Sequence, residues 1–353
     1  MSETAPAIVI ERPRQAVVKD IAITPPGDDA VVIRTTHSAI STGTEMKVWS
    51  GLSGSLGGEL WYPLVPGYEG VGRVERVGRA VAGALAAFKK GDRVMINEVR
   101  RYPDHCAAWG GQCALAVKDP RTAPAPFDPP ALIPDAVSDE EAVLAYLAAV
   151  AEKGVRKAAP QAGETVLVIG LGLIGLSWVQ LARLAGARVI ALDIHPERLA
   201  LGARFAHEVI DPRGGDAIAQ LERLTGGRRA DLVVECSGNP AVVADLPGYL
   251  RDGGWDGSDD GGRIHLQADY PAPLVITPYQ RWFTKNLRLS MTCAIRPGGK
   301  EAILGLLAAK KFDLRTILES PLMRRVRLAD TPAAYGQVEA ARGSILKTLI
   351  DWR

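Results

Sequence analysis

The chain has 353 residues, and 42 Lys plus Arg stand against 40 Asp plus Glu, for a net charge of +2. That near balance argues against a polyanionic partner, and the length suffices for two domains with sizeable cores. The four cysteines (Cys106, Cys113, Cys236 and Cys293) are widely scattered, outline no disulfide framework and suit a reducing cytosol.

The start, Met1-Ser-Glu-Thr-Ala-Pro6, has neither the basic nor the apolar stretch of a secretory leader, and no apolar run is long enough to span a membrane. A cytoplasmic protein without membrane or nucleic-acid partners is expected. Residues 1 to about 120 read as strands and turns. Ala30–Thr36 is a strand after the turn Pro25–Asp29, and Gly70–Val77 and Asp92–Ile96 are two more. The proline-rich stretch 119–134 is expected to be a loop. Ser138-Asp-Glu-Glu141 then signals a helix start, a Ser cap with acids in the first turn, leading into an apolar helix to Val150.

From residue 165 to about 294 the pattern alternates strand and helix. The β-branched run Thr165–Ile169 leads into Gly170, Gly172 and Gly175; an amphipathic helix is predicted over Leu176–Ala185, then a strand over Arg188–Leu192 ending at Asp193. Strand, glycine turn, helix, strand and acid in this order make a dinucleotide-binding unit. Gly170 permits the tight turn, Gly172 lets backbone N–H groups approach a pyrophosphate, and Gly175 lets the helix pack close to the strand. With Leu173 and Ile174 between them, these residues are the cofactor-binding candidates, because a helix N-terminus favours negative charge. Asp193 would accept ribose hydroxyls and repel a 2′-phosphate, which favours NAD(H); its competing role is to cap a helix opening at Pro196. Arg198, one turn on, either covers the adenosine or attracts a phosphate. Strands are also expected at Asp231–Gly238, Arg263–Gln267 and Leu287–Thr292. The tract Asp252–Gly262 reads as a surface loop, Ile303–Leu307 as a core helix, and Arg324–Arg327 as a solvated strand end.

The whole chain, over roughly residues 8–353, resembles the alcohol dehydrogenase type of medium-chain dehydrogenase/reductase. Pro66-Gly-Tyr-Glu-Gly-Val-Gly-Arg-Val74 resembles that family's G-H-E-x-x-G-x-V segment and Gly91-Asp-Arg-Val94 its G-D-x-V strand. Glu235-Cys-Ser-Gly238 resembles the strand end beside the nicotinamide, which marks Cys236, Ser237 and Gly238. Ile345–Ile350 resembles the terminal strand whose basic residue reaches the pyrophosphate, which places Lys347 there. The resemblance implies an α/β fold: a Rossmann doubly wound parallel sheet (residues 147–294) inserted in a GroES-like β-rich catalytic domain (1–146 and 295–353). It also implies a homodimer or dimer of dimers pairing through the region Arg281–Thr292.

The departures from that family carry the chemistry. Zinc-containing members hold the metal with a Cys, a His and a third Cys or acid. Here Ser41 and Tyr68 stand at the first two places, and the third falls near Ala145-Tyr146. Hydroxyls are poor zinc ligands, and Cys106, Cys113 and His105 do not complete the family's four-cysteine structural lobe. No metal is therefore expected. Ser-Thr-Gly-Thr-Glu45 with Val-Pro-Gly-Tyr-Glu69 resembles the zinc-lacking branch that includes bacteriochlorophyllide 3-hydroxyethyl dehydrogenase.

Without a metal, hydrogen-bond donors must stabilise the developing alkoxide. Tyr68 is the candidate for the bond to the substrate oxygen, with Ser41 and Thr44 assisting and Lys47 relaying the proton; Glu69 and Glu45 are alternatives. A cation such as Lys47, or the nicotinamide's own positive charge, would lower the Tyr68 phenol from its usual value of about 10. The plain alternatives are a Tyr68 that fills a vacated pocket and a Lys47 that is a solvated lysine. Trp49, Trp61 and Tyr62 either line an apolar substrate site or belong to the core. The leading reading is a zinc-independent NAD(H)-dependent oxidoreductase acting on a secondary alcohol or ketone, the small-molecule substrate being a sugar, cyclitol, specialised metabolite or tetrapyrrole. The competing readings are an NADPH-dependent enoyl or quinone reductase and a non-catalytic dinucleotide-binding protein.

Overall fold

The computed structural model describes residues 3–52, 60–97, 101–121, 128–254, 260–270, 274–341 and 343–353. Two of the expected loops fall partly outside these residues, at 122–127 and 255–259. The chain divides into two compact units. The first comprises Met1–Tyr146, Lys300–Lys310 and Leu314–Arg353; the second comprises Leu147–Gly299 and Lys311–Asp313. The division falls inside the helix Asp139–Ala158. That helix opens on the expected capping box: the Glu141 carboxylate accepts from Ser138 N and Oγ, and Glu141 N donates to Ser138 Oγ at 3.2 Å.

In the first unit the strand Val31–Ile40 lies at the centre of a seven-stranded sheet. It runs four residues beyond Thr36 because His37 and Ser38 find backbone partners on both sides. Ser38 pairs with Gly70 of the antiparallel strand Gly70–Val77 and with Ile350 of the strand Lys347–Asp351. This register places Ser41, Glu69 and Lys347 at one end of the sheet. A second, four-stranded sheet contains Thr4–Arg12 and Gln15–Ala22. Its apolar residues Ile8 and Ile10 share a core with Ile40, Met46, Trp49 and Tyr335. Met323–Arg327 is a strand with mostly exposed side chains, and Gly299–Ala308 a helix that buries Ile303, Leu304 and Leu307.

The second unit is built on six parallel strands: β1 (Thr165–Ile169), β2 (Arg188–Leu192), β3 (Glu208–Ile210), β4 (Leu232–Glu235), β5 (Arg263–Leu266) and β6 (Arg288–Met291). Their order is β3-β2-β1-β4-β5-β6. The order reverses between β1 and β4, and ligands of such sheets bind beyond the carboxyl ends of the strands at that reversal. Strands buried on both faces need continuous apolar runs, which β1, β2 and β4 supply. The helix after β1 spans Leu173–Leu184, three residues earlier than periodicity suggested. The periodic signal starts at Leu176, but Gly172 is already the extended residue from which the helix begins. Among the described residues no helix is long and apolar enough to cross a membrane.

Candidate functional site

The glycine turn of the second unit is set by close approaches. Gly170 has φ +89°, and a Cβ there would lie 2.6 Å from Ser237 N. A Cβ on Gly175 would meet the Gly170 carbonyl oxygen at 1.8 Å, so the helix can pack this close only with glycine. Gly172 faces open space, with nothing within 4 Å of a Cβ position. The turn thus presents Leu173 and Ile174 at the start of a 12-residue helix whose first N–H groups are uncovered at that point. These features fit a pyrophosphate.

Asp193 is 5% exposed and clasps this turn: Oδ2 accepts from Leu171 N at 2.7 Å and Oδ1 from His195 N at 2.8 Å. The helix at Pro196 is capped by the backbone of His195, so Asp193 is not its N-cap residue as the alternative reading supposed. Two backbone bonds leave acceptor capacity on the carboxylate for ribose hydroxyls. Arg198 lies close enough to Asp193 to be held up by its charge, although burial pulls the guanidinium below its ordinary value. Ser237 and Gly238 form the turn after β4, against Gly170. The Cys236 thiol beside them is pushed well up by burial and then by Glu235, so it is no nucleophile.

In the first unit Ser41 and Tyr68 meet. Ser41 Oγ and the Tyr68 hydroxyl share a hydrogen bond of 2.5 Å in a buried setting. The Tyr68 ring packs edge-on to Trp109 at 5.2 Å and tilted to Tyr146 at 5.3 Å. Its backbone oxygen accepts from Asn97 Nδ2 at 2.8 Å, and a Cβ on Gly67 would collide with the Gln112 side chain. Burial raises the Tyr68 phenol well above its ordinary value, and Glu69 adds to this; the Ser41 bond opposes it. Burial, not Lys47, is the largest influence on the Tyr68 phenol, and it raises the group where a nearby cation was expected to lower it.

Two buried carboxyls flank the pair. Glu69 Oε1 lies 2.6 Å from Lys347 Nζ, both side chains being almost wholly buried, while Glu69 Oε2 has no hydrogen-bond partner. Burial raises Glu69 and Lys347 pulls it back. Lys347, expected on the pyrophosphate, donates to Glu69 at 2.6 Å, at the sheet end where Thr348 pairs with Ile40. Glu45 accepts from Ser41 N at 3.0 Å, from Gln112 Nε2 at 3.4 Å and from the Tyr335 hydroxyl. Its pKa is raised to about 7, first by burial. Thr44 and Lys47 lie half-buried on the short helix Thr44–Trp49. Trp49 is core: it stacks on Tyr335 at 5.2 Å and donates to Glu339. Tyr62 donates to the Val48 carbonyl, and Trp61 is exposed.

Sequence reasoning passed over Tyr335 and Gln112, which reach Glu45 from distant parts of the chain, and also Glu235 and Tyr270. Only Glu235 carried a local signal, as the first residue of the Glu-Cys-Ser-Gly segment.

Comparison with known proteins places this geometry. Residues 27–123 match the Alcohol dehydrogenase GroES-like domain family, and residues 174–255 match the family described as Zinc-binding dehydrogenase. The chain belongs to the alcohol dehydrogenase-like medium-chain dehydrogenase/reductase superfamily. It is an oxidoreductase of that superfamily. It is 28% identical to a 2-desacetyl-2-hydroxyethyl bacteriochlorophyllide A dehydrogenase of Cereibacter sphaeroides over 98% of each chain. It is also 28% identical to a probable D-xylulose reductase A of Neosartorya fischeri, over 82% of this chain and 80% of that protein. Its fold matches an oxidoreductase/dehydrogenase of unknown specificity from Escherichia coli, with a TM-score of 0.83, 20% identity and 99% of each chain covered. The zinc that this superfamily's resemblance brings with it finds a poor donor set here. At the two positions that the resemblance gives to zinc ligands stand the Ser41 and Tyr68 hydroxyls, which are poor donors to zinc.

Proposed function

We propose that this chain is a zinc-independent, NAD(H)-dependent oxidoreductase that interconverts a secondary alcohol and a ketone. The observation that carries the proposal is the buried 2.5 Å pair of Ser41 and Tyr68 hydroxyls at the place of two metal ligands. The dinucleotide, when bound, supplies a hydride acceptor or donor. The Gly170–Gly175 turn holds its pyrophosphate, Asp193 takes its ribose hydroxyls and disfavours a 2′-phosphate, and Ser237 and Gly238 border its nicotinamide half.

Tyr68 keeps its proton because burial raises its phenol. It therefore donates a hydrogen bond to the substrate oxygen and stabilises negative charge there as the ketone is reduced or the alcohol oxidised. Ser41 fixes the direction of that donor. Thr44 and Lys47, on the adjoining half-buried helix, pass the exchanged proton towards water. Glu69, balanced by Lys347, holds the Tyr68 segment in place rather than taking the proton itself. Relatives named for a ketose and for a bacteriochlorophyllide support a secondary alcohol on a sugar, cyclitol, specialised metabolite or tetrapyrrole. In the same reading two copies pair along the edge strand β6, where Met291 is exposed.

The test combines metal analysis with one variant. Turnover of a panel of secondary alcohols and ketones, xylitol and butane-2,3-diol among them, should survive exhaustive chelation. Tyr68→Phe should lower kcat by about 10²- to 10³-fold, the usual effect of removing one donor to a developing oxyanion. Stoichiometric zinc whose removal abolishes activity, or full turnover by Tyr68→Phe, would overturn the proposal.

A further inference from the structure

Glu235 ends β4 at the reversal of strand order and is completely buried. Four donors converge on its carboxylate. Ser237 N reaches Oε1 at 2.7 Å and Gly238 N reaches Oε2 at 3.3 Å. The Ser237 hydroxyl donates to Oε1, and the Tyr270 hydroxyl donates to Oε2 across 35 residues of chain. Three of these bonds shape the turn after β4, and the fourth comes from the segment after β5. One carboxylate therefore ties together the carboxyl-end loops of two neighbouring strands.

The tie has geometric consequences. Gly238 is held at φ +69°, and a Cβ there would come within 3.5 Å of the Ala268 methyl. Ser237 Oγ also receives Asn239 N at 3.2 Å, so the turn is braced from both sides. On the β1 face the same turn abuts Gly170, and Cys236 N donates to the Ile169 carbonyl at 2.8 Å. In this strand order the β1–β2–β3 half, which carries Asp193, takes one nucleoside, and the β4–β5–β6 half takes the other. The Glu235 knot is made only of residues from the second half, although its turn borders the pyrophosphate turn, which with Asp193 belongs to the first.

We propose that Glu235 and Tyr270 are positioning residues that fix the two loops flanking the nicotinamide ring, so that they set affinity for that ring and not for the ADP-ribose part of the cofactor. The proposal rests on the dinucleotide reading given above. Buried charge-assisted hydrogen bonds suit this task because a carboxylate with four donors cannot reorient without leaving several of them unpaired.

The test compares NADH and NADPH with ADP-ribose, which retains the adenosine, the pyrophosphate and the second ribose and lacks only the nicotinamide ring. Binding is followed by calorimetry and by nicotinamide fluorescence in wild type, Tyr270→Phe and Glu235→Gln. Each substitution should weaken the bound reduced cofactor by about tenfold or more, the usual consequence of losing a hydrogen bond to a charged group, and leave ADP-ribose within about twofold. Unchanged ADP-ribose binding also shows that each variant is folded. If Glu235→Gln fails to fold, Ser237→Ala, which removes one donor to Glu235 and the acceptor of Asn239 N, takes its place beside Tyr270→Phe. Equal weakening of cofactor and ADP-ribose would overturn the proposal, as would no weakening of either. A wild-type chain that binds none of the three ligands would sink the dinucleotide reading itself, which is a separate failure.

Discussion

The glycine turn of the second unit and the hydroxyl pair of the first unit are both built at strand ends, yet they are made of different material. The turn is backbone. Two of its three glycines are required because a Cβ would collide with Ser237 at Gly170 or with a carbonyl at Gly175. The hydroxyl pair is side chain. Ser41 and Tyr68 are 27 residues apart, and their character is set by Glu45, Glu69, Lys347, Gln112 and Tyr335, spread over the whole chain. A backbone site can be kept only by keeping its residues. A side-chain site can exchange one chemistry for another while the surrounding sheet register stays fixed.

The largest effect should come from breaking the buried ion pair under the hydroxyl site. Lys347→Met leaves Glu69 charged, buried and unpaired, with Oε2 already lacking a partner. Loss of one member of such a pair costs about 3–5 kcal/mol. Denaturant unfolding should show that loss, and the double variant Lys347→Met with Glu69→Gln should recover much of it. A single variant within about 1 kcal/mol of wild type would mean that the hydroxyl site is not anchored by this pair and that the contrast between the two sites is overdrawn.

The same contrast explains what could be read from the sequence. The parallel sheet, the glycine turn and Asp193 were legible because each follows from a local pattern: apolar runs, glycine spacing and an acid at a strand end. The start of the helix at Leu173 was missed because Gly175 stands inside its first turn and reads as part of the glycine turn, although Leu173 is already buried. Ser41, Tyr68 and Glu69 were legible as positions, by resemblance to a metal site. Their electrostatics were not. Nothing near Tyr68 in the sequence says that burial outweighs every nearby cation, and nothing near Glu45 points to Tyr335, which lies 290 residues away. Lys347 illustrates the limit: a terminal-strand lysine can be placed from its segment, but the direction of its ammonium depends on register with the strand ending at Ile40.

A smaller effect should appear in the pH dependence of stability. Glu45 has a folded pKa of about 7 against an ordinary value of 4.5. Between these values the folded chain holds a proton that the unfolded chain has released, so this group's contribution to stability falls as pH rises through the interval. Above about pH 7 both states are ionised and the loss levels off. One pKa unit corresponds to about 1.4 kcal/mol, so the full difference is on the order of 3 kcal/mol. Other groups titrate in the same range; His265, lowered to about 4 by burial, acts in the opposite direction. The quantity to measure is therefore the difference between wild type and Glu45→Gln in unfolding free energy at pH 5 and pH 8. Wild type should lose ground to the variant on going to pH 8, and a difference that does not change with pH would place the carboxyl outside the buried network.

The smallest effect probes the backbone site through its one essential side chain. Asp193→Asn keeps the size and one acceptor oxygen but removes the negative charge. Two of the carboxylate's jobs should separate. Its clasp on Leu171 N and His195 N supports the turn for any dinucleotide, so weakening that clasp lowers NADH and NADPH affinity together. Its charge repels a 2′-phosphate and not a 2′-hydroxyl, so removing it raises NADPH affinity relative to NADH by about tenfold, the size of one lost charge interaction near a surface. The ratio of the two dissociation constants isolates the second job from the first. Because the Asp193 charge acts on Arg198, the Asn variant also removes that attraction, which pushes the ratio the same way. A ratio that stays constant while both affinities fall would make Asp193 a structural brace of the glycine turn, and the preference for NAD(H) would then have to come from elsewhere in the second unit.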